Sequence, residues 1–386
     1  VRFTEGHAPA RPSNRNPERD FSVKLSRIAA PAALFLTAAL ALSACAANEA
    51  PAEGGSTGSA SALTGTLTGI GASSQGSAQE AWIAAFQTAN PDVTINYDPQ
   101  GSGAGRESFI SGAAAFAGSD SALNDEELGG EFASCAPDTL AIDLPVYISP
   151  IAVVFKVDGV DELNLDASTL AKIFSGAITT WDDAAIKALN PDATLPSAAI
   201  TAVHRSDDSG TTKNFTDYLG KVAPADWAEK AADAFPFQTG EGAQGTSGVI
   251  QAVTSGTNTI GYADASKAGD LGVAKIKVGE EFVEYTAEGA AAVVEESPLV
   301  EGREANDIAI ALDRETTDAS HYPLVLVSYI IACQEYADPA QAELVKAYVG
   351  YLASEDGQQE AATSAGAAPL SSDLASKVAD AIETIK

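Results

Sequence analysis

Apolar positions in this chain recur with two periods, and the two alternate along the sequence. Residues 64–70 predict a strand, followed by the polar turn GASSQGSAQ. Trp82, Ala85, Phe86 and Ala89 then recur at helical spacing, and Asn90-Pro91 stops that helix. Val93, Ile95 and Tyr97 alternate as the next strand, and a Gly/Ser loop at 101–105 leads into a helix with Phe109 and Ile110. Residues 151–157 and 324–332 are continuous apolar runs, expected for strands buried on both faces of a mostly parallel sheet. Helices are predicted over 169–174 and 182–189, a strand over 199–204, and then a helix carrying Phe215, Tyr218 and Leu219. A hairpin at 275–285 and helices at 340–352 and 372–385 complete the pattern. Repetition of strand, loop and helix predicts an α/β protein.

The first 44 residues read differently. Residues 28–42 (IAAPAALFLTAALAL) are apolar and follow Lys24 and Arg27. The run is short of the ~20 apolar residues a membrane span needs and has the layout of a secretory signal. It ends in Leu42-Ser43-Ala44-Cys45, which resembles the bacterial lipoprotein signal, with Cys45 as the lipid-modified first mature residue. An ordinary secretory signal with a chance Cys is the alternative. The chain has no Met and opens on Val1. Reading Val1 as a GTG start makes 1–44 the signal region; a start at Val23 leaves 1–22 without structural meaning. Residues 45–62 are rich in Ala, Gly and Ser, the composition of a flexible tether. An exported chain meets oxidising conditions. With Cys45 lipidated, Cys135 and Cys333 form an even pair and are candidates for a disulfide; two buried free thiols are the alternative.

Charge narrows the partners. The chain has 22 Lys+Arg against 53 Asp+Glu, a net charge of −31. Removing 1–44 takes away six basic residues (Arg2, Arg11, Arg15, Arg19, Lys24, Arg27) and three acidic ones (Glu5, Glu18, Asp20), leaving 16 basic against 50 acidic, net −34. Such a field repels nucleic acid and anionic membrane surfaces. Three His and three Cys offer little for a metal site, so neither metal nor cofactor is expected.

Three turns share one chemistry: Gly71-Ala72-Ser73-Ser74, Gly101-Ser102-Gly103-Ala104-Gly105 and Asp208-Ser209-Gly210-Thr211-Thr212. Each follows a predicted strand and opens a helix, with hydroxyls expected at the cap. Unpaired N–H groups and the helix dipole make such an end an anion site. Plain helix capping by Ser and Thr is the alternative for any one of them. Arg205 lies just upstream of the third turn and can clamp an oxyanion, with Asp207 placed to brace it. Asp120, in Gly118-Ser119-Asp120-Ser121, is a carboxylate at an anion site. It fits an anion that still carries a proton, as hydrogen phosphate does and sulfate does not.

These stretches carry a family resemblance. LTGTLTGIGASS, NYDPQGSGAGRESF, FAGSDSALNDEEL, IFSGAITTWDDAAIKALNP and VHRSDDSGTTKNFTDYL together resemble the PstS family, the phosphate-binding lipoproteins of bacterial phosphate ABC transporters. The resemblance runs from about Leu63 to the C-terminus. It implies that Ser73, Ser74, Ser102, Asp120, Arg205, Ser209, Gly210 and Thr211 bind phosphate, with Asp207 behind Arg205. The family often has Phe where Ser74 stands, and GSGAG departs from the commoner GSSGG. The implied fold is two-lobed, of type II periplasmic-binding-protein form, each lobe a mixed sheet flanked by helices. Lobe I is expected at 60–143 plus 322–386 and lobe II at 144–321, with hinge crossings at 144–148 and 322–327. The implied role is extracytoplasmic capture of phosphate for the membrane permease subunits of an ABC importer, by a monomer lipid-anchored on the outer face of the cell membrane.

Three rivals remain at this stage, one of them a surface adhesin or sensor on the same fold to which phosphate is incidental. Arsenate shares the proton of phosphate and fits the same groups. An exported phosphatase is suggested by Asp120-Ser121-Ala122, which resembles the nucleophile segment of alkaline phosphatases. That chemistry needs a two-metal cluster of several His and Asp, and beyond the signal only His204 and His321 are available. The expectation is therefore a binding protein and not an enzyme.

Overall fold

The computed structural model describes residues 63–386. The expected signal region 1–44, including 1–22, the lipidation residue Cys45 and the tether 45–62 lie outside the described residues. The first part of the described chain runs β1 (Gly65–Gly71), α1 (Gly76–Ala89), β2 (Val93–Asp98), α2 (Ser102–Ile110), β3 (Phe116–Ser119), α3 (Asp125–Leu128) and β4 (Ala141–Lys156). The middle runs β5 (Asn164–Leu165), α4 (Ala167–Phe174), α5 (Ala184–Leu189), β6 (Thr201–Arg205), α6 (Gly210–Val222), β7 (Glu241–Ala243), α7 (Gly245–Ser255) and β8 (Thr259–Asp264). Then come β9 (Gly272–Val273), β10 (Lys275–Val278), β11 (Glu281–Val283), α8 (Ala287–Glu296), β12 (Val325–Cys333), α9 (Pro339–Ala353), α10 (Glu355–Ala365) and α11 (Ser372–Glu383).

Two half-sheets share the long strand β4. Along the main path the order is β2-β1-β3-β12-β4-β8-β6-β7. β1 is parallel to β2 and β3, and β6 is parallel to β7 and β8. β12 and β4 are antiparallel to each other and to their outer neighbours β3 and β8. The sheet is therefore mixed, which corrects the mostly parallel sheet expected from the apolar runs. Burial on both faces removes polar positions whichever way the neighbours run, so the pattern carries burial and not direction.

β4 has 16 residues, and only its last, Lys156, is not fully buried. At ~3.3 Å per residue it is about 50 Å long, enough to serve both lobes. Ala141 to Pro150 pair with β12; Ile151 to Lys156 pair with β8. The partner changes between Pro150 and Ile151, where Ile151 N donates to Leu324 O at 2.8 Å. The first lobe carries β1, β2, β3 and the helices α1, α2, α9 and α10. The second carries β6, β7, β8 and the helices α4, α6 and α7.

Helices cover both faces. α1 turns Ala78, Trp82 and Phe86 inward at i, i+4 spacing, and Trp82 Nε1 donates to Gly357 O on α10 at 2.6 Å. Ala89, expected on that stripe, is exposed. Cys135 and Cys333 form a disulfide with Cα atoms 5.3 Å apart, tying the loop after α3 to the end of β12. The hairpin β10–β11 forms as expected. Helices α3, α7, α8 and α10 and strands β3, β5, β7, β8 and β9 were not anticipated. α10 (EDGQQEAATSA) has only Ala as apolar residues, so hydrophobic periodicity does not register there.

Candidate anion-binding site

The three turns converge from both lobes onto one buried locus. β1 ends at Gly71 against β3, where a Cβ would lie 2.0 Å from Gly118 O, so only glycine permits this approach. Ser73 and Ser74 follow, then α1. α2 starts after Gly101, whose φ of +116° is open to glycine and whose Cβ would lie 2.5 Å from Asp207 Oδ2 of the other lobe. β6 ends at Arg205, and α6 starts after Ser209.

Only the third turn is capped by a hydroxyl: Thr212 N donates to Ser209 Oγ at 3.2 Å. The residues before α1 and α2 are Gln75 and Gly101, and neither makes a side-chain cap. This corrects the expectation of hydroxyl caps on all three helices. Ser74 and Ser102 face Asp120 instead. Ser74 Oγ donates to Asp120 Oδ1 at 2.5 Å, and Asp120 N donates to Ser102 Oγ at 3.1 Å. From the second lobe Thr211 Oγ1 donates to Asp120 Oδ2 at 2.8 Å, and Asn214 Nδ2 to Asp120 O at 2.7 Å. Gly210 packs so closely that a Cβ there would lie 2.6 Å from Ser102 Oγ and 2.7 Å from Asp120 Cβ. Ser73 Oγ accepts from Thr246 N at 3.0 Å, again across the lobes.

Arg205 is 3% exposed. Asp207 holds its guanidinium in two-point fashion, Nε to Oδ1 at 2.8 Å and Nη2 to Oδ2. Gly245 N also donates to Asp207 Oδ1 at 2.9 Å. Burial raises the Asp207 carboxyl, but the bond and charge of Arg205 with the Gly245 N–H outweigh it and hold it below its ordinary value. Asp120 goes the other way. Burial raises it most, the Ser328, Ser74 and Thr211 hydroxyls and the Arg205 charge pull it down, and the balance stays above ordinary.

The structure thus gathers Ser74, Ser102, Asp120, Arg205, Asp207, Ser209, Gly210 and Thr211, with Ser73 at the rim. The sequence reading missed Thr246 and Gly245 at the start of α7, Asn214, Ser328 and the pair Arg106–Asp233. α7 opens with Gly245-Thr246-Ser247-Gly248 after β7, the same Gly and hydroxyl signature as the other three turns, with Val249 and Val253 behind it at helical spacing. Arg106 Nη2 meets Asp233 Oδ2 of the second lobe at 2.7 Å, Nε meets Glu127 at 2.8 Å, and Nη1 donates to Ser119 Oγ at 3.2 Å. Gly103 N donates to Asp208 O at 3.0 Å. These contacts close the lobes on each other.

Comparison with known proteins agrees with this architecture. The family model for the PBP superfamily domain matches residues 54–356. Phosphate-binding protein PstS 3 of Mycobacterium tuberculosis is 36% identical over 339 residues, covering 85% of this chain and 90% of that protein. Phosphate-binding protein PstS 2 of the same species is 31% identical over 381 residues, covering 94% and 100%. Among solved structures, the high-affinity periplasmic phosphate-binding protein PfluDING, bound with phosphate, superposes with a TM-score of 0.65 at 22% identity, covering 81% of this chain and 93% of that one. A putative phosphate ABC transporter substrate-binding protein from Clostridium perfringens gives 0.55 at 21% identity, covering 80% and 100%. At those identities the structures speak for the two-lobed fold, and the sequence relatives speak for the family: the chain belongs to the PstS family of the periplasmic-binding-protein superfamily.

Proposed function

We propose that this protein captures inorganic phosphate between its lobes and delivers it to the membrane subunits of a phosphate ABC importer. The observation that carries the reading is the meeting of Asp120 from the first lobe with Thr211 and the Arg205 turn from the second. Main-chain N–H groups at the starts of α1, α2 and α6, those of Ser74 and Thr211 among them, the hydroxyls of Ser73, Ser102 and Ser209, and the Arg205 guanidinium supply donors for phosphate oxygens. Gly210 lets the backbone approach. Asp207 orients Arg205, and Asp120 accepts the proton of hydrogen phosphate. Against sulfate Asp120 faces only lone pairs, and a buried unpaired acceptor costs about 1–3 kcal/mol, more when charged.

Phosphate bonds groups of both lobes, so it favours the closed form by its differential affinity. The lobes in this reading are 60–143 plus 322–386 and 144–321. About a dozen dipolar and charge-assisted bonds in a dry cleft support micromolar affinity or tighter, roughly −8 kcal/mol. Lipidation at Cys45, a tether to the outer face of the cell membrane and a monomeric body belong to the same reading. Titration calorimetry on the purified protein tests it. Phosphate binds, sulfate fails to compete, and Asp120→Asn weakens phosphate and narrows that gap. Arsenate, which shares the proton, competes. Undiminished discrimination in Asp120→Asn would remove Asp120 from the site.

A further inference from the structure

Asp120 stands at the end of a buried chain of hydrogen bonds that runs one way. Tyr348 Oη donates to Gln79 Oε1 at 2.7 Å, and Gln79 Nε2 donates to Gln75 Oε1 at 2.9 Å. Gln75 Nε2 donates to Ser328 Oγ at 2.7 Å, and Ser328 Oγ donates to Asp120 Oδ1 at 2.6 Å. All five residues are buried. The direction is fixed by one anchor. Gln75 Nε2 also donates to Tyr329 O at 3.0 Å, and a carbonyl can only accept. Gln75 therefore turns its amide nitrogen to Ser328 and its oxygen to Gln79. The Gln79 nitrogen meets that oxygen, which leaves Gln79 Oε1 for the Tyr348 proton. Ser328 Oγ accepts a hydrogen bond from Gln75 Nε2 and has its own O–H to donate to Asp120.

The chain ties α9 and α1 to β12 and then to the turn after β3. Ser328 sits where the β12–β4 register slips, between Ser328 and Tyr329. Oδ1 of Asp120 accepts from both Ser74 and Ser328, which fills its two lone pairs. Oδ2 accepts from Thr211 and keeps one.

We propose that Ser328, Gln75, Gln79 and Tyr348 are positioning residues for phosphate selection: their relay holds Asp120 ionised and reserves Oδ2 for the ligand's proton. The proposal rests on the reading of Asp120 as proton acceptor. Each donor in the relay favours the charged carboxylate, and donors in series polarise one another. Burial opposes them. Other titratable or charged groups bear on Asp120, and Arg314 reaches its main-chain oxygen through Asn214. Arg205 on β6 favours its charge. Tyr97 on β2 is driven well above its ordinary value by burial, with the Asp120 charge adding to it. Asp264 at the end of β8 is raised to about 6, first by burial and in small part by Asp120.

The test is phosphate affinity by calorimetry from pH 4 to 8, with sulfate competition, for the wild type, Ser328→Ala, Tyr348→Phe and Asp120→Asn. As pH falls Asp120 takes up a proton and stops accepting the ligand's. Loss of a relay donor makes this happen at higher pH. Ser328→Ala is expected to move the acid limb up by about one pH unit and to cut the phosphate-over-sulfate preference about tenfold. Tyr348→Phe, which removes one oxygen remote from the ligand, is expected to move the limb by a few tenths of a unit. Asp264 is common to all the variants, so the differences report on Asp120. A purely structural role predicts lower melting temperatures with an unmoved limb, and that result overturns the relay. Tyr348→Phe carries the test alone where Ser328→Ala does not fold. Undiminished selectivity in Asp120→Asn is a different failure: the acceptor reading falls, and the relay with it.

Discussion

Asp233→Asn separates lobe closure from ligand contact. Asp233 lies on the second lobe, and its carboxylate meets Arg106 of the first at 2.7 Å, with Ser121 Oγ donating to the other oxygen at 3.3 Å. The side chains are 7% and 17% exposed, so the pair is largely shielded from water. Its position matters because Asp233 O accepts from Ser209 N, the residue that caps the third turn. Removing the carboxylate's charge turns an ion pair, charged on both sides, into a bond from the Arg106 cation to a neutral amide oxygen. Bonds to charged groups are worth about 1.5–3 kcal/mol. The loss stays below the 3–5 kcal/mol of an orphaned buried charge, because Arg106 keeps Glu127 and Ser119. About 2 kcal/mol is withdrawn from the closed form alone, since opening separates the pair anyway. Phosphate affinity is then expected to fall about 30-fold. The change belongs mostly in the dissociation rate, read by stopped-flow, with Kd from calorimetry. Asp233→Asn with Kd and dissociation rate both within twofold of wild type would refute the reasoning.

Three further outcomes follow from other parts of the structure. The Cys135–Cys333 disulfide closes a sequence separation of 198 residues, for which chain entropy gives about 5 kcal/mol. Cys135→Ser with Cys333→Ser should lower stability to urea by that order, and reductant should do the same to the wild type only. Asp264 is raised by burial from 3.8 to about 6, so its folded state binds a proton more readily than the unfolded chain does. Its contribution is fully present below pH 3.8 and is lost as pH rises to about 6, close to 3 kcal/mol in all. Denaturant titrations should show that slope in the wild type and not in Asp264→Asn; an equal slope in both would discount the burial of Asp264. Finally, raising salt should tighten phosphate binding only modestly, through the association rate, because the net charge of −31 slows approach and is screened within about 8 Å at 0.15 M. A steep loss of affinity with salt would contradict this.

Much of the fold was legible because burial leaves a mark on residue type. The second half of β4, from Ile151 on, and β12 announce themselves as apolar runs, and α1 through Trp82 and Phe86. Direction leaves no such mark, which is why their antiparallel pairing was not foreseen. The turns proposed for the site were legible from their order along the chain: Gly and hydroxyls after a strand, then a helix. Their partners were not. Ser328 looks like any small residue in an apolar strand, and its hydroxyl acquires meaning only when β12 is laid beside β3 and Asp120. Arg106 and Asp233 lie 127 positions apart in sequence, and nothing local to either foretells the other. α7 is different, because its Gly245-Thr246 start obeys the rule that found the other three.

The charges around the cleft bear on how an acidic protein holds an anion. Arg205 is neutralised by Asp207, and Arg106 is shared by Glu127 and Asp233. Asp120 adds a further negative charge. Among these residues no net positive charge faces the ligand, so attraction through monopoles is not what the arrangement offers. What it offers is direction: main-chain N–H groups at helix starts, hydroxyls held by buried acceptors, and a guanidinium whose orientation Asp207 fixes. Dipoles of this kind act over a few ångströms, and Asp120, Arg205, Ser74, Ser102, Ser209 and Thr211 that surround them are buried. A site built so recognises where an anion's oxygens and proton lie more than how much charge it bears. That is the distinction between hydrogen phosphate and sulfate, which can carry the same charge and differ in one proton.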